Sequence, residues 1–208
     1  MHTNYRSIAK LGVIKMSPTT SDEQMYKIIL IGEGAVGKTS IRRNYLGKGF
    51  ISSHIATIGV DFAQKYVSID NHTVRLVIWD LAGQTGFERV RKHYYQGCSA
   101  LVLVYSVVDR KTFDNLTWWL VEAFKYNQMI PPTAILANKI DLRSSEIRDD
   151  EVSTEDGLEF RDIFMKRLDV PAIFLETSAK TGENIQEAFA QLTKILIKED
   201  AKRKMKHA

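Results

Sequence analysis

The chain has 208 residues and a hydrophobic content of 44%, which is enough for one domain with a substantial core. Its 29 lysine and arginine residues are intermixed with 25 acidic residues, and this mixture excludes a dedicated nucleic-acid-binding face. The single cysteine, Cys98, excludes an intrachain disulfide, and its apolar neighbours predict a buried, unreactive thiol. Because no apolar run reaches the roughly 18 residues of a membrane span, we expect a cytoplasmic protein.

The two ends of the chain differ in composition from its middle. Residues 1–24 finish in a turn-rich stretch and predict a flexible extension, or alternatively a short basic helix that contacts a membrane or a partner. Residues 199–208 are rich in lysine and arginine and predict a short, frayed basic tail. We therefore expect one folded domain over residues 25–198.

Short apolar runs bounded by turns recur through this middle part. Such runs are typical of strands that are covered on both faces of a sheet. They lie at residues 26–31, 100–105, 133–137 and 172–175. Two further segments, 60–69 and 73–79, flank the turn residues 70–72, and this combination predicts a hairpin.

Amphipathic patterns separate the apolar runs. One predicted helix begins near Thr112 and has the inner-facing residues Phe113, Leu116, Trp119, Leu120 and Phe124. A second follows residues 153–156, which resemble a capping box, and a third spans the apolar positions from 185 to 196. One hairpin with repeated strand–helix units predicts an α/β fold, namely a six-stranded, mostly parallel sheet with one antiparallel edge strand and helices on both faces.

A glycine-rich segment with the pattern Gly-x-x-x-x-Gly-Lys-Thr follows the first apolar run and precedes a helical stretch. Glycines permit a backbone path whose N–H groups converge on a phosphate, and the helix N-terminus adds favourable partial charge. Lys38 is expected to reach the β- and γ-phosphates, and the Thr39 hydroxyl to bind Mg²⁺. The pattern predicts a P-loop NTPase fold and a nucleoside triphosphate, but it does not select the base. The predicted nucleotide-binding residues here are Gly32, Glu33, Gly34, Ala35, Val36, Gly37, Lys38, Thr39 and Ser40.

Two later segments predict that the base is guanine. The Asp141 carboxylate can accept hydrogen bonds from guanine N1–H and its 2-amino group, whereas adenine would leave it unpaired. In the same segment Asn138 can tie the base site to the phosphate loop, and the stem of Lys139 can cover one face of the base. Residues 177–180 follow the next apolar run and can offer a backbone N–H to guanine O6. The nucleotide-binding residues predicted there are Ser178, Ala179 and Lys180.

Together these motifs resemble the Ras superfamily of small GTPases, and its Rab-like branch most closely, over roughly residues 25–198. The resemblance implies that Phe50 packs against guanine and that Thr57 binds Mg²⁺ and senses the γ-phosphate. It implies that Asp80 holds Mg²⁺ through a water molecule and that Gly83 donates its N–H to the γ-phosphate. Gln84 would orient the attacking water, which makes Gln84 and Lys38 the expected catalytic residues.

The implied function is that of a GTPase switch. It would bind GTP or GDP with Mg²⁺, hydrolyse GTP slowly, and change the loops at 50–62 and 80–95. Effectors, exchange factors and GTPase-activating proteins are the expected partners of a monomer that binds no nucleic acid. Trp79, Tyr94 and Tyr95 could form an aromatic patch for effectors, or alternatively belong to the core.

The sequence also departs from the family pattern. No cysteine follows Cys98, so we expect no prenylation and only weak, electrostatic membrane contact. Glu33 and Leu81 are unusual at their positions, and this leaves a second hypothesis, a GTP-binding module that hydrolyses almost nothing. A third hypothesis, an ATP-dependent enzyme built on the same phosphate loop, is disfavoured by Asp141.

Overall fold

A computed structural model describes residues 24–51, 57, 59–143 and 150–207. Strands and helices alternate along this part of the chain, with two short 3₁₀ turns at Thr85–Phe87 and Ile140–Leu142. The strands are β1 (Gln24–Ile31), β2 (Val60–Ile69), β3 (His72–Leu81), β4 (Ala100–Ser106), β5 (Thr133–Asn138) and β6 (Ala172–Thr177). The α-helices are α1 (Lys38–Tyr45), α2 (Glu88–Tyr95), α3 (Arg110–Asp114), α4 (Leu116–Asn127), α5 (Thr154–Leu168) and α6 (Ile185–His207).

The strands form one sheet in the order β2-β3-β1-β4-β5-β6. The pair β2 and β3 is antiparallel, and the other neighbouring strands are parallel. The predicted fold class is therefore confirmed. In the parallel part, Leu30 pairs with Asp80, Ser106 with Asn138, and Asn138 with Thr177. These registers bring the carboxyl ends of β1, β3, β5 and β6 to one edge of the sheet.

The predicted hairpin is present between β2 and β3. Its two turn residues, Asp70 and Asn71, have φ angles of 48° and 66°. Two consecutive residues with positive φ are typical of the type I′ turn, whose twist matches that of the flanking strands. Short polar side chains tolerate this backbone region better than most residues, which explains why Asp and Asn occupy the turn.

The hydrophobic core lies on both faces of the sheet. Ile28 and Leu30 of β1 pack into the cluster that also contains Phe189 of α6. Ile29 and Ile31 point to the opposite face, into the cluster that contains Trp119 of α4. Because successive side chains of a strand point to opposite faces, a strand covered on both faces must be apolar throughout. Each fully buried side chain of this kind contributes about 1.5–3 kcal/mol.

The helix predicted to begin near Thr112 differs from the structure in two ways. The helix predicted from Thr112 is divided into α3 and α4 at Asn115. Leu116 and Trp119 are buried as predicted, but Phe124 is 55% exposed because it lies outside the stripe that faces the sheet.

The predicted capping box at the start of α5 is confirmed, since the Ser153 hydroxyl accepts from the Asp156 N–H and the Asp156 carboxylate accepts from the Ser153 N–H.

The end of the described chain also differs from expectation. Residues 199–207 were predicted to fray, but they continue α6 as regular helix. The carboxylate of Asp200 anchors this part, because it accepts hydrogen bonds from the Tyr26 hydroxyl and the Gln24 amide, both at 3.0 Å. None of the described helices is long and apolar enough to cross a membrane. The predicted N-terminal extension lies outside the described residues, apart from Gln24, which begins β1.

The environment of Cys98 generates a first prediction. The thiol is buried, donates to the Ala100 carbonyl oxygen at 2.9 Å, and has its pKa raised by burial to about 12. A raised pKa keeps the thiol protonated at pH 8, and a protonated, buried thiol is a poor nucleophile. We expect Cys98 to react with a chromogenic disulfide reagent only after unfolding in guanidinium, measured as thiolate release at pH 8. Rapid labelling of the native protein would contradict this.

Candidate functional site

The loop at residues 32–37 connects β1 to α1 and requires glycine at two positions. Gly32 and Gly37 have φ angles of 136° and 103°, which other residues rarely adopt. A Cβ atom on Gly32 would collide with the Val104 carbonyl oxygen, and one on Gly37 with the side-chain amide of Asn138. The loop therefore follows its tight path between β4 and the end of β5 because these two residues have no side chain.

Lys38 extends back over this loop. Its ammonium group donates to the carbonyl oxygens of Gly32 at 2.7 Å and Glu33 at 2.6 Å. The side chain is buried, and burial lowers the pKa of Lys38 to about 8, although the carboxylates of Asp80 and Glu33 act in the opposite direction. The loop thus holds a buried positive charge beside its own backbone N–H groups, an arrangement suited to phosphate.

Three oxygen atoms meet at the first turn of α1. The Thr39 hydroxyl donates to an Asp80 carboxylate oxygen at 2.6 Å and lies 2.8 Å from the Thr57 hydroxyl. The other carboxylate oxygen of Asp80 is buried and has no hydrogen-bond partner among the described residues. Burial raises the pKa of Asp80, against the lowering effects of Thr39, Lys38 and Arg42.

This donor set fits Mg²⁺. Hydroxyl and carboxylate oxygens are the ligands that this cation prefers, and Mg²⁺ commonly uses only one or two protein carboxylates together with substrate phosphates. Within the described residues no cluster of three or more His, Cys, Asp or Glu side chains offers a self-contained metal site. Thr39, Thr57 and Asp80 are therefore suited to a cation that arrives with a phosphate ligand.

Asn138 at the end of β5 connects three loops. Its amide nitrogen donates to the Val36 carbonyl oxygen at 2.7 Å, which ties it to the phosphate loop. Its amide oxygen accepts from the Ala179 N–H at 3.0 Å and lies 3.3 Å from the Thr177 hydroxyl. Since the Asn138 side chain is fully buried, all these bonds are shielded from water.

The segments proposed for base recognition lie next to each other. The Ser178 hydroxyl donates to an Asp141 carboxylate oxygen at 2.6 Å, and the Lys180 ammonium lies 3.9 Å from the other oxygen. Lys139 adopts a φ of 71° and begins the 3₁₀ turn that presents Asp141. The N–H groups predicted to contact the base are engaged here, because that of Ala179 donates to Asn138 and that of Lys180 to the Ser178 hydroxyl.

The loop after β3 lies directly on the phosphate loop. Gly83 is buried, and a Cβ atom there would collide with the Lys38 ammonium and the Glu33 carbonyl group. The side chain of Gln84 is exposed, and Phe50 is 44% exposed. Only glycine at position 83 allows the two backbones to approach so closely.

A single cavity of about 780 Å³ joins these parts. The predicted site residues that line it are Gly34, Ala35, Gly37, Lys38, Thr39, Ser40, Phe50, Thr57, Asp80, Gly83, Gln84, Asn138, Lys139, Asp141, Ala179 and Lys180. Four other predicted site residues, Gly32, Glu33, Val36 and Ser178, are not part of the lining. The Glu33 carboxylate points away from the loop, where it accepts from the Asn115 amide at 3.0 Å.

Comparison with known proteins identifies the family. The model of the Ras family matches residues 27–198, which is most of the chain. The chain belongs to the Ras family.

Similar proteins with Rab names place it within that family. The chain is 37% identical to the Ras-related protein RABD2c of Arabidopsis thaliana over 171 residues, covering 82% of this chain and 80% of that protein. It is 39% identical to the Ras-related protein Rab-37 of Homo sapiens over 171 residues, covering 82% and 72% of the two chains. It is 33% identical to the Ras-related protein Rab-2B of Dictyostelium discoideum over 180 residues, covering 86% and 84%. The protein is thus a Rab-like small GTPase.

Arg91, which the sequence analysis missed, supports the loop after β3 in this GTPase. Its guanidinium is fully buried and makes two hydrogen bonds of 2.7 Å to the Glu122 carboxylate. The same group donates to the carbonyl oxygens of Ala82 at 3.0 Å and Gln84 at 2.7 Å, on either side of Gly83. The Tyr95 hydroxyl donates to Glu122 at 2.8 Å and completes the network. In the sequence, Arg91 looks like an ordinary charged residue of a surface helix.

The aromatic residues near this GTPase site divide into a surface group and a core residue. Phe62 and Trp79 stack with ring centroids 5.0 Å apart, and Trp79 and Tyr94 are 5.2 Å apart. Phe62 is 53% exposed, whereas Tyr95 is completely buried. Of the two roles considered for Trp79, Tyr94 and Tyr95, Tyr95 has the core role. Trp79 and Tyr94 are partly buried and pack against the core, and with the exposed Phe62 they form a partly exposed aromatic surface.

The buried pair of Arg91 and Glu122 generates a stability prediction. Removing one partner leaves an uncompensated buried charge, which costs about 3–5 kcal/mol, whereas replacing both by apolar residues of similar volume is often neutral. We expect Arg91→Met to lower the free energy of unfolding by about that amount and Arg91→Met/Glu122→Met to recover most of it. Urea denaturation followed by circular dichroism measures both. Additive losses in the double variant would contradict the assigned coupling.

Proposed function

We propose that this GTPase binds GTP with Mg²⁺ in the cavity, hydrolyses it slowly to GDP, and uses the reaction to change its surface at residues 50–62 and 80–95. The observation that carries the proposal is the meeting of Lys38, the Thr39–Asp80 pair and the Gly83 backbone on one phosphate loop. Asn138 attaches the base-recognition segment to the same loop. One bound nucleotide would therefore contact the phosphate loop and the base-recognition segment at the same time.

At the phosphate end, Lys38 would exchange its two carbonyl partners for oxygens of the β- and γ-phosphates. Thr39 and Thr57 would bind Mg²⁺ through their hydroxyl oxygens, and Asp80 would bind it through water. Mg²⁺ supplies charge neutralisation on the phosphate oxygens when it is bound. Because Lys38 is already buried beside the loop, its charge would lie close to the phosphate oxygens on which charge develops during phosphoryl transfer once its two carbonyl contacts are replaced.

Gln84 would orient the water that attacks the γ-phosphorus, and the Gly83 N–H would donate to a γ-phosphate oxygen. The sequence has no arginine from Phe50 to Thr57 that could stabilise the transition state from within the chain. We therefore propose slow hydrolysis, on the order of 10⁻⁴ s⁻¹, as is usual for unassisted enzymes of this kind. Gly34 leaves open space at the cavity for an arginine from an activating partner.

At the base end, Asp141 would accept from guanine N1–H and the 2-amino group, and Lys139 would cover one face of the ring. Ser178 already holds the Asp141 carboxylate by a hydrogen bond of 2.6 Å, which limits its rotation. Ala179 or Lys180 could donate a backbone N–H to guanine O6 only after leaving its present side-chain acceptor. Phe50 lies in the lining of the same cavity and would pack against the base.

Switching would follow from the contacts of Thr57 and Gly83 with the γ-phosphate. Loss of that phosphate would release both segments, a common mechanism of order change in nucleotide switches. Phe62 ends the first of these segments, Trp79 directly precedes the second and Tyr94 lies within it, so the aromatic surface that they form would report the change to effectors. Exchange factors and GTPase-activating proteins are further proposed partners of a monomeric protein.

The exposed basic residues of α6 fit weak peripheral contact with an anionic membrane. Lys202, Arg203, Lys204 and Lys206 are all exposed. Each such charge contributes about 1 kcal/mol near an anionic lipid surface, and salt screens the attraction. This contact is proposed to be electrostatic and reversible.

The competing hypothesis of a nearly inert GTP-binding module depends on Leu81 disturbing the chemistry or on Glu33 weakening the phosphate site. Its carboxylate is bonded to Asn115, so the side chain does not point into the phosphate loop. This observation favours the active GTPase. Chromatography of the nucleotide released from the purified protein, followed by a Mg²⁺-dependent GTP hydrolysis assay, tests both. Bound ADP would overturn the guanine assignment, and bound GTP without turnover would favour the inert module.

The role of Gln84 generates a catalytic prediction. We expect Gln84→Leu to reduce single-turnover GTP hydrolysis at least about tenfold, because the attacking water loses its orienting hydrogen bonds. GDP affinity should stay within about twofold, since the exposed Gln84 side chain makes no contact needed for the diphosphate. Gln128→Leu, on an exposed site at the end of α4, serves as the control. An unchanged hydrolysis rate in Gln84→Leu would remove Gln84 from the mechanism.

The role of Asp141 generates a specificity prediction. An asparagine at 141 presents an N–H donor to the position where guanine also has a donor, so GTP affinity should fall at least about a hundredfold. Xanthine has a carbonyl oxygen at that position, and Asp141→Asn should therefore bind xanthosine triphosphate more tightly than the unchanged protein does. Competition against a fluorescent nucleotide measures both affinities. Equal losses for the two nucleotides would indicate a structural role for Asp141 instead of base recognition.

A further inference from the structure

Arg42 lies one turn after Lys38 on α1 and lines the cavity beside Asp80. Its side chain is only 8% exposed. One end of the guanidinium forms a close ion pair with the Asp61 carboxylate at the start of β2. The Nε atom lies 3.9 Å from a carboxylate oxygen of Asp80. A buried cation thus bridges the carboxylate proposed to hold Mg²⁺ and a residue four positions after Thr57.

One buried polar atom of Arg42 and one of Asp80 lack hydrogen-bond partners among the described residues. The Arg42 Nε–H is buried without a hydrogen-bond acceptor among the described residues. One oxygen of Asp80 is likewise buried without a donor among them, although Thr39 donates to the other. Arg42 and Asp80 therefore interact as neighbouring charges without a direct hydrogen bond. In a site shielded from water such an interaction is strong.

The charges around Asp80 determine how well the site can accept a divalent cation. Lys38 and Arg42 are the two cations beside it, and Asp61 is the further carboxylate. In the nucleotide complex Lys38 would be neutralised by phosphate, so Arg42 is the positive charge that still opposes Mg²⁺. Asp61 compensates Arg42 only in part, because Asp61 is 60% exposed and its field is weakened by water.

We propose that Arg42 is a positioning residue that lowers the Mg²⁺ affinity of this GTPase by acting as a permanent counter-charge to Asp80, and that Asp61 limits this effect by holding the guanidinium. The inference rests on the Mg²⁺ site of the proposed function. Its consequence is that retention of the nucleotide needs a higher Mg²⁺ concentration than it would without Arg42, because Arg42 stabilises the Asp80 carboxylate when Mg²⁺ is absent.

The test measures how Mg²⁺ retains a bound nucleotide. The full-length protein is loaded with fluorescent GDP, and the dissociation rate is followed at free Mg²⁺ concentrations set with a chelator buffer. The readout is the Mg²⁺ concentration at which release is half-maximally slowed, and it does not depend on GTP hydrolysis. Arg42→Met keeps the length and apolar stem of the side chain but removes its charge. We expect it to lower this midpoint about tenfold, since an opposing charge is removed.

Further variants separate charge from shape. Arg42→Lys keeps the charge and should leave the midpoint within about threefold of the unchanged protein. Asp61→Asn releases Arg42 toward Asp80 and should raise the midpoint severalfold. In the Arg42→Met background Asp61→Asn should have a smaller effect, and the difference between its effects in the two backgrounds is the part that acts through Arg42, because a double-mutant cycle subtracts the direct contribution of Asp61. Arg167→Met, an exposed site on α5, is the control for net charge and should change nothing.

The outcomes distinguish this inference from the proposed function. Midpoints for Arg42→Met equal to that of the unchanged protein, with an intact melting temperature, would overturn the role of Arg42 alone. If Arg42→Met does not fold, Arg42→Gln replaces it, and an unchanged midpoint in that variant overturns the role in the same way. An unchanged protein whose GDP release is indifferent to Mg²⁺ would overturn the Mg²⁺ site itself.

Discussion

The geometry of the site depends on the hydrogen bonds of the buried Asn138 side-chain amide. It donates to the phosphate loop at Val36 and accepts from the loop after β6 at Ala179. Both contacts are possible because parallel pairing brings the ends of β1, β5 and β6 to one edge of the sheet. An amide can donate and accept at the same time, so one side chain sets the distance between the phosphate end and the base end of the cavity. Buried polar groups that are fully bonded in this way make a site rigid.

On the opposite side of the cavity, backbone contact and a buried arginine hold the loop after β3 in place. The loop after β3 touches the phosphate loop through Gly83, and its two neighbouring carbonyl groups are held by Arg91. Arg91 is attached in turn to Glu122 of α4, which belongs to the packed core of the sheet. On the other flank, the start of β2 is attached to α1 through Arg42 and Asp61. Each proposed switch segment thus adjoins an ion pair of a buried arginine, Arg91 with the buried Glu122 and Arg42 with the exposed Asp61.

Much of the fold could be predicted from sequence because its strands are apolar on both faces. A run such as residues 100–105 has no polar face, and this pattern is typical of a parallel sheet covered by helices. The division of the predicted helix at Asn115 and the exposure of Phe124 could not be predicted in the same way. Periodicity gives the approximate face of a helix, whereas the packing of Trp119 and Leu116 against the sheet decides which residues fill that face. The helix over residues 199–207 is attached to the domain by the contact of Asp200 with Tyr26, and no local pattern contains this contact.

By itself, the sequence predicted the phosphate loop, the residues Asn138 and Asp141 that we propose for the base site, and the family, because these are short motifs whose chemistry depends on residue type and spacing. Tertiary structure alone decided which charged residues are buried. Arg42 and Arg91 stand in helices where most charged side chains face solvent, and their partners lie 19 and 31 residues away. The sheet and α4 bring those partners close and exclude water, and only then does an ordinary arginine become a strong local charge. The motifs alone predict the Mg²⁺ site. The effect of Arg42 on Mg²⁺ affinity, as we propose it, depends on the fold.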